Sequence, residues 1–222
     1  MIDLHTHTFL SDGVLLPSEL IQRARKKGYT AIALTDHADI SNIDFVIAAL
    51  KRVCADTNKA YNDIICLPGV EITHVAPVLV KGLVKRARKA GAKIVVFHGE
   101  TVCEPVEPGS NRAAILAGVD ILAHPGRISD EDASLAASKK VFLEITARHG
   151  HNATNRHVAL KAAAAGAKLI FNTDSHAPEN LCDDSQRLAI LAEAGLDSGE
   201  INKAIGNSEA LVSSVRGQKS GR

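Results

Sequence analysis

The segment Ile2-Asp3-Leu4-His5-Thr6-His7-Thr8 opens the chain, and Ser11-Asp12-Gly13 follows within a few residues. In extended backbone successive side chains point to opposite faces, so His5 and His7 project the same way while Leu4 and Thr6 face the other. Two imidazoles then converge on one point, and the Ser-Asp-Gly turn is placed to bring a carboxylate back over the same end of the strand. Taken alone, a His-x-His pair is more often a solvated strand face than a ligand pair. The rest of the chain changes that weighting, because it repeats the arrangement.

Working outward, short apolar runs alternate with helical stretches. Pro17 opens a helix that carries Arg25 and Lys26 in its last turn and is closed by Gly28. Residues 31–34 form an apolar run ending in Thr35-Asp36-His37, and Phe45, Ala48, Ala49 and Val53 mark the expected buried face of the next helix. The run 64–70 ends in Glu71. A helix over 76–90 follows, with Val80, Leu83, Val84 and Ala87 on one face and the basic residues Lys85, Arg86, Arg88 and Lys89 on a solvated one. The run 93–97 ends in His98, 119–123 in His124-Pro125-Gly126, 141–143 in Glu144, and 168–172 in Thr173-Asp174-Ser175-His176, with helices expected near 111–117, 130–139, 155–165 and 184–194. Strands that read as near-continuous apolar runs are buried on both faces, as in a parallel sheet covered by helices. Seven such units favour an α/β fold, a distorted TIM-like (β/α)7 barrel forming one domain over residues 1–222. No Gly-x-Gly-x-x-Gly follows the first strand, which argues against a dinucleotide fold. Beyond Leu196 one or two short helices and a polar, frayed tail over about 213–222 are expected.

Composition narrows the function classes. The 222 residues are 45% hydrophobic, enough for one sizeable core, and 26 Lys and Arg against 25 Asp and Glu give a net charge of +1. No global field announces nucleic acid or an anionic membrane. Aromatic residues make up 3% with no Trp, so there are few platforms for stacking bases. Cys54, Cys66, Cys103 and Cys182 are scattered and read as reduced thiols of a cytoplasmic protein, and neither a signal peptide nor a membrane span is evident.

All seven runs end in His, Asp or Glu, and in a parallel barrel those ends share the face where active sites sit. So many titratable groups on one face would desolvate and repel one another unless cations neutralised them. Imidazole and carboxylate without thiolate suits Zn²⁺, Mn²⁺ or Fe²⁺, and the number of donors exceeds what one ion takes.

These motifs, His5-Thr6-His7 with Ser11-Asp12-Gly13, Thr35-Asp36-His37, Gly69-Val70-Glu71, His98, His124-Pro125-Gly126 and Thr173-Asp174-Ser175-His176, resemble in order those of the polymerase and histidinol phosphatase (PHP) family. The resemblance spans Asp3 to His176. It implies a distorted seven-stranded barrel with two or three divalent ions: one held by His5, His7, Glu71 and Asp174, a second by Glu71, His98 and His124, and a third by Asp12, His37 and His176. Many members carry histidine where Asp12 stands, and the carboxylate makes that site harder.

Such a cluster favours in-line attack of a metal-bridging hydroxide on a phosphomonoester, without a covalent intermediate. Glu144 is expected to orient a ligand or to form a simple salt bridge, and Asp36 to hold His37 or to cap the following turn. Arg148 is the first choice for a phosphate contact, with Arg112 and Arg127 as alternatives. The acidic stretch from His98 to Val106 is long for a β/α connection and is expected to shape the pocket, with His74, His149 and His151 near its mouth and His157 structural. The leading function is a phosphoesterase acting on a small phosphorylated metabolite or nucleotide. A nuclease trimming nucleic-acid ends and a non-catalytic metal-binding accessory domain are the alternatives.

Overall fold

The computed structural model of the chain describes residues 1–217. Its strands are the apolar runs, and they pair in parallel: β1 (Ile2–Asp3), β2 (Ala31–Leu34), β4 (Ile65–Ile72), β5 (Ile94–His98), β6 (Ile121–Ala123), β7 (Phe142–Thr146) and β8 (Leu169–Asn172), in that order around the sheet. The short β3 (His37–Ala38) continues the line of β2, since β2 pairs with residues 65–68 of β4 and β3 with Glu71 and Ile72. The ring therefore has seven positions, as the seven apolar runs imply. It closes nearly completely between β8 and β1. There Leu4 N donates to the Asn172 side chain, Asp174 N to His5 O, and His7 N to Ser175 O.

Eight α-helices flank the strands among the described residues: α1 (Pro17–Lys26), α2 (Ile43–Ala60), α3 (Pro77–Ala90), α4 (Ser110–Ala117), α5 (Asp130–Lys139), α6 (Asn155–Ala165), α7 (Asp184–Glu193) and α8 (Ser198–Gly217). Alternation along the strands splits the core in two. Val95, Phe97, Leu122, Leu143, Ile145 and Phe171 pack outward under the helices, while Leu4, Ala31, Ala33, Ile94, Val96, Ile121 and Ile170 fill the barrel. Burying each Val, Leu, Ile or Phe side chain among them contributes about 1.5–3 kcal/mol. The basic residues of α3 lie on its outer face as expected, with Arg86 paired to Asp44 and Arg88 to Asp120. No described helix is long and apolar enough to cross a membrane.

Three expectations need correction. The buried face of α2 is Ile43, Val46, Ile47, Leu50 and Cys54, whereas Phe45 is 65% exposed. The continuous aliphatic stripe outcompetes a face made of one ring and small alanines. Second, the region after Leu196 is one 20-residue helix rather than short pieces. Third, residues 213–217 are helical rather than frayed. Leu211, Val212 and Val215 of α8 are buried in the barrel-filling cluster with Ile2, Ile65 and Phe142 from the first residues of three strands, so α8 forms the floor of the barrel. The remainder of the expected tail, 218–222, lies outside the described residues.

Candidate metal centre

Opposite that floor, the carboxyl ends of the strands gather all nine sequence-predicted ligands, five of them imidazoles directly around Glu71. Glu71 and Glu144 are not terminal residues but belong to β4 and β7, so their carboxylates point into the barrel mouth from below. Glu71 Oε2 lies 3.4 Å from His5 Nε2, 3.5 Å from His7 Nε2 and 2.7 Å from His37 Nδ1. Its other oxygen lies 3.4 Å from His98 Nδ1 and 3.6 Å from His124 Nε2. Asp174 Oδ1 stands 3.2 Å from His7 Nε2 and 3.7 Å from His5 Nε2, and its Oδ2 lies 3.8 Å from His124 Nε2. To one side Asp12 Oδ1 faces His176 Nε2 at 3.2 Å and His37 Nε2 at 3.5 Å. His7 Nδ1 approaches the same oxygen at 4.0 Å, so this imidazole offers one nitrogen to each of two groups of donors.

Buried polar atoms are nearly always hydrogen-bonded. Here His7 Nδ1, both Glu71 oxygens, both His98 nitrogens, His124 Nδ1 and Asp174 Oδ1 are buried without a hydrogen-bond partner. Such a concentration of unsatisfied nitrogen and oxygen donors fits divalent cations, and the absence of thiolate from the set fits zinc, manganese or iron. Backbone strain is concentrated in the same place. Of the four described non-glycine residues with positive φ, three are His74, His124 and Asp174.

Charge tells the same story. Burial pulls His5 down, but Glu144, Glu71 and Asp174 outweigh it and raise its pKa well above the ordinary value. Its neighbour His7, with ring nitrogens 3.1 Å away, is held well below by burial and by the imidazoles of His37 and His176. Burial pushes Glu71 up, yet His5 and His37 outweigh it and bring the carboxyl well below its usual range. Asp174 is raised, chiefly by burial. Two histidines in contact and driven in opposite directions mark a cluster that its own protons balance poorly.

Neighbouring residues fix the donors. Glu144 Oε1 accepts from His5 Nδ1 at 2.9 Å and from Asn172 Nδ2 at 2.8 Å, while its Oε2 accepts from His124 N at 3.1 Å. Glu144 thus contacts His5, as an orienting role and a simple salt bridge both require. Asp36 takes neither of its two expected roles, holding His37 or capping the turn that follows it: its carboxylate accepts from Thr8 N and from the Thr8 and Ser11 hydroxyls, and so ties down the earlier turn that carries Asp12. His37 Nδ1 instead bonds Thr73 Oγ1 at 2.7 Å.

Residues 3–98 match the family model described as PHP domain. An uncharacterized protein of Methanocaldococcus jannaschii is 47% identical over 206 residues, 92% of this chain and 93% of its own length. A protein named probable phosphatase from Shewanella sediminis is 30% identical, covering 99% of this chain and 96% of its own. The chain belongs to the PHP domain family. Among solved structures, histidinol phosphate phosphatase from Lactococcus lactis subsp. lactis, complexed with zinc, L-histidinol and phosphate, shares the fold with a TM-score of 0.62 at 17% identity, over 88% of this chain and 94% of that one.

Around the PHP ligand cluster the candidate anion contacts separate. Arg148 is half-buried just past β7, with Nη1 3.5 Å from Asn180 Oδ1, and lines a cavity of about 390 Å³ with His149, Thr173 and Glu179. Arg112 on α4 is paired with Asp132 of α5 at 2.9 Å, and Arg127 is exposed after Gly126. His157 bonds Ile128 O and is structural, as expected. One residue in contact with the cluster was missed: Glu104, in the long β5–α4 loop, reaches back to His74, His98 and His151. The signal for it was an acidic side chain in a connection too long for its two elements.

Proposed function

We propose that this PHP protein is a single-domain, metal-dependent phosphomonoesterase acting on a small phosphorylated metabolite or nucleotide in the cytoplasm. The observation that carries the reading is the gathering of nine imidazole and carboxylate side chains at one end of the barrel, five of the imidazoles lying within 3.6 Å of the buried Glu71 carboxylate, with seven buried atoms of the set lacking a hydrogen bond. His5, His7, Glu71 and Asp174 would hold one ion, Glu71, His98 and His124 a second, and Asp12, His37 and His176 a third. Divalent ions there would supply Lewis acidity toward phosphoryl oxygens and make a bound water more acidic.

The chain's own groups supply the rest. Glu144 locks the His5 ring and, through His124 N, the turn at the end of β6. Asp36 holds the Asp12 turn in place. Arg148 offers a fork for phosphate oxygens at the rim, and His149 beside it is exposed to an incoming substrate. Support for a hydrolase rather than an accessory module is the full donor set together with the phosphatase-named relative of nearly equal length. A cytoplasmic setting is supported by four free thiols.

The test is metal analysis of protein purified without added metal, followed by hydrolysis of p-nitrophenyl phosphate, its diester analogue, histidinol phosphate, AMP and a short oligonucleotide. Two to three ions per chain with chelator-sensitive monoester turnover is the expected result. Turnover of the oligonucleotide alone would make the protein a nuclease, bound ions without any turnover would favour a binding role, and fewer than two ions after metal is supplied would remove the cluster.

A further inference from the structure

Resting on that reading, the β5–α4 loop holds a residue whose placement mirrors Glu144. His5 stands between two carboxylates, Glu144 on its Nδ1 and Glu71 on its Nε2. His98 stands between two as well: Glu71 Oε1 lies 3.4 Å from its Nδ1, and Glu104 Oε2 lies 3.1 Å from its Nε2. A ligating imidazole commonly gives its second nitrogen to a carboxylate, which fixes the tautomer and the ring plane. His98 Nε2 faces Glu104 at ion-pair distance, short of an aligned hydrogen bond, which leaves the lone pair of Nδ1 toward Glu71.

Glu104 is anchored for that task from two sides. It accepts from His74 Nε2 at 3.0 Å, and its Oε1 lies 3.4 Å from His151 Nε2. His151 is itself bonded through Nδ1 to Thr101 Oγ1 of the same loop at 2.7 Å, and its ring stacks on His124 with centroids 4.2 Å apart. His74 keeps a left-handed backbone, φ 52°, that histidine adopts only at a cost. Gly126 lets the loop sit close: a Cβ there would fall 1.7 Å from Glu100 O. One carboxylate thus gathers three imidazoles, two of which touch the ligand pair of the second ion.

We infer that Glu104 is a positioning residue, which acts through His98 to orient the His98 and His124 half of the centre and clamps the β5–α4 loop across its mouth. It is not itself a ligand in this scheme, and its effect falls on one ion of the set.

The test compares Glu104→Gln, Glu104→Ala and wild type by equilibrium dialysis against Zn²⁺ and Mn²⁺, by thermal melting of the metal-stripped proteins, and by kcat and KM on a monoester the wild type turns over. The amide of Gln keeps an acceptor for His98 Nε2, whereas Ala removes it. The expected result is that Glu104→Ala binds its weakest ion about 10–100-fold less tightly, with kcat falling in step and KM nearly unchanged, and that Glu104→Gln recovers most of the loss. Equal losses in the two variants would make Glu104 a ligand and overturn the inference. A rise in KM with unaltered ion binding would make it a substrate contact, and a lowered melting temperature with unaltered ion binding would leave it a clamp of the loop alone, without the positioning role; either also overturns the inference. If wild type binds no ions, the proposed function itself fails, which the same dialysis shows before any variant is compared.

Discussion

Replacing Gly126 by alanine tests whether the turn after β6 is held as tightly as the geometry implies. Two effects act together. Gly126 has φ 62°, a left-handed conformation that costs an alanine about 1–2 kcal/mol. The added Cβ would also lie 1.7 Å from Glu100 O and 2.7 Å from Glu100 C, so the Glu100 peptide or the His124–Pro125 segment must move by more than an ångström. That movement strains two hydrogen bonds through one side chain, Asn111 Nδ2 to Pro125 O and Glu100 N to Asn111 Oδ1, both 2.9 Å. Each contributes about 0.5–1.5 kcal/mol net, so the total cost is about 2–5 kcal/mol. In a chain of this size, 1 kcal/mol lowers Tm by about 2–4 °C, which gives a drop of roughly 4–20 °C. Gly28→Ala is the matched control, because Gly28 has φ 81° and nothing within 4 Å of its would-be Cβ. It should cost only the conformational part, about 1–2 kcal/mol. The assay is calorimetric unfolding of both variants, together with their ion content. If Gly126→Ala melts no lower than Gly28→Ala, the close approach of the two loops is wrong, and the clamping role of the β5–α4 loop weakens with it.

Glu144→Gln should weaken ion binding about 10–100-fold, measured by equilibrium dialysis, since one amide oxygen cannot serve the three donors His5 Nδ1, Asn172 Nδ2 and His124 N; unchanged affinity would refute the orienting role. Burial holds the Asp120 carboxyl above its usual range, with Arg88 offsetting only part of that. The folded chain therefore keeps this proton more tightly than the unfolded one, so Asp120 contributes stability present below pH about 3.9 and lost as pH rises through its raised value. Asp120→Asn should gain on wild type in melts run from pH 3.5 to 7, and a pH-independent difference would contradict the burial. Val215→Ala should cost about 2 kcal/mol in chemical unfolding, because it strips two buried methyl groups from the barrel floor; a cost near zero would mean the end of α8 is not packed there.

The centre was legible because two simple periodicities meet in it. Alternation along a strand put His5 and His7 on one side, and parallel strands covered by helices must send all their carboxyl ends to one face. Nothing further was needed to bring Glu71, His98, His124 and Asp174 together. What escaped the sequence depends on how segments lie over one another. Whether Asp36 would reach His37 or the Thr8 turn is decided by the path of the chain after His7, which no local pattern encodes. Glu104 lies in a connection whose residues have no period, and only the fold back over His98 gives it partners. The α2 face was misread because Phe45 weighs heavily in a pattern of apolar residues, while the surface it would have to cover is better matched by Ile43, Val46, Ile47 and Leu50. Polar Ser198-to-Gly217 sequence hid a floor helix, since only three of its side chains enter the barrel-filling cluster.

The seam between β8 and β1 bears on how the protein comes into being. The amide of Leu4 is tied to Asn172, 168 residues away, and His5 and His7 are bonded by their backbones to Asp174 and Ser175. The last stitches of the barrel are therefore made by residues flanking, or themselves among, the four donors proposed for the first ion. On a ribosome, a nascent chain can build the middle of the sheet strand by strand while His5 and His7 wait for partners that have not yet been synthesised. Loading of that proposed ion would be an event of completion, and an ion taken up there would fasten the two ends of the sheet like a clasp.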